Sequence, residues 1–205
     1  MALSIVTFLM LRGIVIYFPV RDDIGFLQFK KEYLHILPWK IAFYAHVFTI
    51  AFALIAGFTQ FSNHILKSHI KLHRTMGKIY VYDVFINFIP AFIMAIYANG
   101  QMPSKIAFII LDCLWLWFTY KAVAEIKRGN VKAHKNFMIR SYALTLSAVT
   151  LRLWKPVIAS LVEIDPLHLY MIISWMGFVP NLLFVEWLIR RKKKRLSTNF
   201  DVVSY

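Results

Sequence analysis

The chain has 205 residues, of which 60% are hydrophobic and 17% charged, and its mean hydropathy is +0.60. A soluble domain carries about 25% charge and 45–50% apolar residues, so a soluble globular fold is excluded. The single cysteine, Cys113, excludes a disulfide framework and any cysteine-built metal centre. A net charge of +14 would suit nucleic acid, but no soluble module exists to carry such a surface.

A helix needs roughly 20 apolar residues to cross a hydrocarbon layer about 30 Å thick. In chain order, residues 2–18, 39–61, 78–98, 104–124, 137–161 and 168–190 reach or approach that length. The first is short and carries Arg12; it is read as a span, tilted or only partly inserted, while the other five qualify outright. Asn99-Gly100-Gln101-Met102-Pro103 predicts a tight turn between the third and fourth spans. Asp165-Pro166 separates the fifth from the sixth. The expected fold is an all-α integral membrane helical bundle of six transmembrane helices, a single membrane domain over residues 1–205.

Lysine and arginine set the orientation. The second-to-third connection, the fourth-to-fifth connection and the run Arg190-Arg191-Lys192-Lys193-Lys194-Arg195 share one side and hold 16 of the 24 basic residues, against five on the other. Both termini are therefore expected in the cytoplasm, at a bacterial inner (plasma) membrane. Residues 190–205 read as a basic cytoplasmic tail touching anionic headgroups. The partner expected throughout is the lipid bilayer, and no nucleic acid. Trp39, Tyr44, Trp175 and Trp187 fall near span ends, as interfacial aromatics do.

Ionisable groups inside hydrocarbon cost about 2.5–3.5 kcal/mol each and ask for a partner or a purpose. His46, Asp83, Asp112, Arg152 and Glu186 are the candidates, with Asn87 and Asn181 as polar companions. Asp112 is the carboxylate best placed by depth to pair with Arg152, while Asp83 falls near the inner face. Helical phase sorts the polar residues into stripes. His134, Met138, Ser141, Thr145, Ala148, Arg152 and Lys155 share a face of the fifth span. His73, Gly77, Tyr80, Val84 and Asn87 share one of the third, and His46, Ile50, Ala53, Gly57 and Gln60 one of the second. Such stripes also serve plain helix packing.

The third and fifth spans both run outward, and His73 and His134 precede them by about the same distance. Two imidazoles meeting at one depth suit the axial ligands of a b-type heme. Arg74 and Arg140 could meet its propionates, and Gly77 could leave room beside the macrocycle. A zinc ion at the pair would lack further ligands. On the motifs His73-Arg74-x-x-Gly77 and His134-x-x-Phe-Met-x-Arg140-Ser-Tyr, followed by Leu151-Arg152, the chain resembles an uncharacterised bacterial family of predicted multi-span membrane proteins. More loosely it resembles the six-span di-heme cytochromes. That likeness implies paired histidines on spans three with five, which His73 and His134 match, and on spans two with four. The second pair is incomplete, because His46 finds no histidine in 104–124.

The expected function is therefore electron transfer by a membrane b-type cytochrome-like protein, with heme b on His73 and His134. His46 and Arg152 would then line a quinone or second-cofactor site, with Trp115, Trp117 and Tyr142 nearby. A small-molecule or ion transporter and an accessory subunit of a larger complex are the alternatives. The chain could also form homo- or hetero-oligomers.

Overall fold

A computed structural model describes residues 2–18 and 20–203, without the side chains of 2–7, 9, 58 and 194–203. The described residues are helices and loops. Among them nine α-helices follow one another: α1 (Ala2–Val15), α2 (Leu37–Gln60), α3 (Asn63–Ser68), α4 (Ile70–Ile96), α5 (Gln101–Lys127), α6 (Val131–Thr145), α7 (Ser147–Leu161), α8 (Pro166–Met176) and α9 (Val179–Val203).

Among the described residues, four helical stretches are long and apolar enough to cross a membrane: α2, α4, α5 and α8 with α9. A fifth forms if α6 and α7, which meet at 43°, count as one bent span. The sixth expected span fails on length. α1 has 14 residues, about 21 Å at 1.5 Å per residue, short of the layer. Four crossings, or five with the bent pair, stand where six were expected, and the expected cytoplasmic N-terminus loses its support. The predicted turn is present, with α5 opening on Gly100 at φ 84°. Asp165 caps α8 by accepting from the Leu167 and His168 amides, and that contact with two donors holds its carboxyl below the usual range. The basic tail continues α9 as helix as far as Val203; the Lys194 and Arg195 side chains lie outside the described set.

α4 is the centre of the bundle, packed on α2 and α5, and α5 in turn packs on α6. The core is narrow because it is built from small residues: Ala53, Ala56, Ala107 and Ala122 are fully buried beside Tyr80, Val84 and Trp115. Large apolar side chains such as Phe52, Tyr82, Ile86, Ile89 and Leu183 point outward, as a lipid-facing surface requires. Trp117 is among the outward-facing residues, with Lys121 stacked on its ring, so it does not join Trp115 in the core.

A second cluster closes the outer end. Tyr17, Leu27, Trp39 and Phe43 are buried together, so Trp39, expected at the lipid interface, is instead 1% exposed. Lys30, expected as a surface charge, is 2% exposed. It donates to the Tyr97 carbonyl and lies 4.6 Å from the Tyr33 ring centroid. Burial pushes its pKa down to about 8, while the unfolded chain keeps this proton to about 10.4. The unfolded state thus binds more protons between those values, so stability rises with pH across that window, and below it the full cost of the buried charge remains. Thermal unfolding should show the native protein gaining on Lys30→Met between about pH 8 and about pH 10.

Candidate functional site

Two polar regions stand inside the bundle. The inner one starts from register. His73 lies three residues into α4, after Ile70, and His134 three into α6, after Val131. Seven residues further, about 10 Å up each helix, Tyr80 and Ser141 meet, their hydroxyl oxygens 2.7 Å apart. A clamp at equal offset from both histidines holds α4 and α6 at matched height. The Tyr80 hydroxyl also meets Thr145 Oγ1 at 2.8 Å and accepts from Trp115 Nε1 at 3.3 Å. Thr119 Oγ1 lies 2.6 Å from Ser141 Oγ, which ties α5 into the same network. Tyr80→Phe should cost about 1–2 kcal/mol, since some orphaned partners can pair among themselves. Thermal melting in detergent reads this loss directly.

Below the clamp, the His73 and His134 rings lie close enough to interact electrostatically. His134 Nδ1 sits 2.8 Å from the Ala122 carbonyl oxygen on α5, so it carries the proton and donates. That bond fixes the tautomer and leaves Nε2 as the free lone pair, the usual state of a metal-binding histidine. His73 Nδ1 is buried with no hydrogen-bond partner. Gln60 Nε2 donates to the His73 carbonyl at 3.1 Å, pinning the end of α2 to the start of α4. Among the described residues no group of three His, Cys, Asp or Glu forms a metal cluster. The inner site thus offers two imidazoles, too few for a four-ligand zinc ion, and these two residues would be the ones to hold a heme iron.

Other expectations about this region change. Arg140 forms a two-pronged ion pair with Glu186 of α9 and stacks 5.2 Å from the Phe137 ring. It is committed within the protein, leaving exposed Arg74 as the basic neighbour. The space beside Gly77 is taken by Gln60, whose Oε1 stands 3.1 Å from where a Cβ would be. Tyr142 packs against Gly57 rather than lining an open slot.

The outer region joins α2, α4 and α7. Asn87 Nδ2 donates to Thr49 Oγ1 at 2.6 Å and to Asp83 Oδ1 at 3.0 Å. His46 lies beside Asn87 and within electrostatic reach of Arg152. α4 starts eight residues before the predicted span, at Ile70, so Asp83 is the fourteenth of its 27 residues and five beyond Lys78.

Arg152 does not reach Asp112. It donates to the Ala148 carbonyl at 2.7 Å and faces Tyr17 and Tyr170, with no ion pair to a carboxylate among the described residues. The cause is the bend at Leu146. The striped face holds through buried Met138, Ser141 and Thr145, then turns by 43° and carries Arg152 away. Hydroxyls produce that bend: Thr145 Oγ1 bonds back to the Ser141 carbonyl and Thr150 Oγ1 to the Leu146 carbonyl, the kind of back-bonding that bends helices. Nearby, α8 gives way to α9 around Gly177, where Pro180 cannot donate to the Met176 carbonyl. Asn181 Nδ2 spans both interruptions, reaching the Ala143 carbonyl at 3.1 Å and Thr150 Oγ1 at 3.1 Å.

A bundle of apolar spans with internal imidazoles and carboxyls is a polytopic helical membrane protein. Residues 43–189 match the family model described as "Predicted membrane protein (DUF2306)", and the chain belongs to that family. No curated protein and no solved structure matches it.

Proposed function

We propose that this is a b-type cytochrome-like electron-transfer protein in which His73 and His134 hold one heme b near the cytoplasmic face of a bacterial inner membrane. What supports the reading is register: the two imidazoles each lie seven residues before a member of the Tyr80–Ser141 clamp, and the His134 Nδ1 is tied to the Ala122 carbonyl. Heme b, when bound, supplies a one-electron iron couple. The chain's own residues do the rest. Ala122 orients the His134 ring, Gln60 and the hydroxyl clamp fix the spacing of the helices, and Arg74 offers a cation to an acidic substituent. The cytoplasmic assignment follows the excess of Lys and Arg at the inner helix ends. A quinone or small redox partner would exchange electrons with such a site.

Hemin titration of the apoprotein in detergent tests the reading. One equivalent should bind with a sharpened Soret band, and either His73→Ala or His134→Ala should abolish it; binding that survives both changes would refute the ligand assignment.

A second reading, transport of a small molecule or ion, draws on the adjoining interruptions at Leu146 and Gly177. Discontinuous helices near the membrane middle are a feature of transporter sites. Here their freed groups are already bonded by Asn181 and Thr150, which favours a structural hinge and leaves this reading second.

A further inference from the structure

The outer polar region holds groups that the heme reading does not use. Asn87 is fully buried and Asp83 is 7% exposed, both at the middle of α4. Asn87 Nδ2 spends its two hydrogens on Thr49 and Asp83, and Thr49 spends its own on the Ala45 carbonyl. Three buried atoms are left without a partner: Asp83 Oδ2, Asn87 Oδ1 and His46 Nδ1. Two of them are acceptors only, and the third is an acceptor in one imidazole tautomer. The cluster is therefore rich in acceptors and short of donors. It also contains a carboxyl for which no cationic side chain forms an ion pair among the described residues.

The surrounding charges do not supply one. On α4 itself, Tyr80 stands one turn below Asp83. From α2, His46 faces the cluster through Asn87, and Arg152 of α7 acts on His46 rather than on Asp83. Asp112 of α5 forms no hydrogen bond to the group among the described residues. An ionised carboxylate in that setting would carry the cost of an unpaired charge in hydrocarbon.

We infer that Asp83, Asn87, Thr49 and His46 form a proton-binding site buried between two membrane-spanning helices, with the proton carried on the Asp83 carboxyl. The bound proton neutralises Asp83 and supplies the donor that the cluster lacks. Rotation of the Asn87 amide about its last bond, which exchanges its oxygen and nitrogen, lets that donor serve either Asn87 or a neighbour. His46, at the end of the cluster nearer Arg152, receives the proton when it leaves outward. This inference does not rest on heme.

A carbodiimide that attacks protonated carboxyls within membranes, dicyclohexylcarbodiimide, tests it on the full chain in detergent, with the modified peptide mapped by mass. Modification should fall on Asp83 and disappear in Asp83→Asn. Its rate should drop about tenfold for each pH unit above a midpoint, and His46→Gln should displace that midpoint. Four results would overturn the site: no modification at Asp83 at any pH, modification independent of pH, a midpoint unmoved in His46→Gln, or protection by sodium chloride relative to choline chloride at fixed pH. The last would make the ligand a metal cation. Because the main measurement is made on the native chain, a variant that failed to fold would not disturb it.

Discussion

Gly57→Ala should destabilise the bundle by about 3 kcal/mol, the upper range for forcing one carbon into a filled core. A Cβ at this position would overlap the ring of Tyr142. That ring is 5% exposed, and its hydroxyl donates to the Leu54 carbonyl at 3.3 Å. Neither partner can retreat, since Gly57 sits on the face of α2 packed inward and Tyr142 is held between α2 and Tyr80. Thermal unfolding in detergent should show the loss. In a Tyr142→Ala background the same change should cost little, because the ring that the new carbon meets is gone. A Gly57→Ala protein as stable as the native one would mean that α2 and α6 do not approach as described.

The second large effect concerns Arg140 and Glu186. Their side chains are 18% and 34% exposed, and they join α6 to α9. Removing one member of a buried pair costs about 3–5 kcal/mol because the other charge is left uncompensated. Partial exposure near the inner end reduces the expected cost of Arg140→Met to about 2–3 kcal/mol. The double change Arg140→Met with Glu186→Gln should recover most of that, since no charge then remains. A single variant no weaker than the double one would show that the pair contributes nothing to holding α9.

Some of this architecture was legible in the sequence and some was not. Hydropathy located five crossings because each must present apolar side chains to lipid, and that demand is local. Helical phase put Tyr80, Val84 and Asn87 on one buried face of α4 for the same reason. It also put His73 and His134 at similar offsets from their spans, and the clamp between Tyr80 and Ser141 stands seven residues beyond each. The Arg152–Asp112 contact failed because phase arguments assume a straight helix, and α6 bends into α7 at Leu146. The serines and threonines there were read as packing residues, although hydroxyls bonding back to carbonyls were the available signal. Pro180, which has no amide hydrogen to donate, was the available signal for the second interruption. Lys30 was counted among surface charges because composition cannot show that aromatic neighbours fold over a lysine. Trp39 was misplaced for the same reason. Arg140 was offered to a propionate when its partner, Glu186, lay on a distant span.

The absorption spectrum of the protein purified from heme-replete cells, taken oxidised and then dithionite-reduced, bears most directly on the two-imidazole site. A red protein with a Soret band that shifts on reduction, and with that band absent from both the His73→Ala and the His134→Ala proteins, is the expected result. A colourless native protein, or a coloured one indifferent to both substitutions, would contradict it.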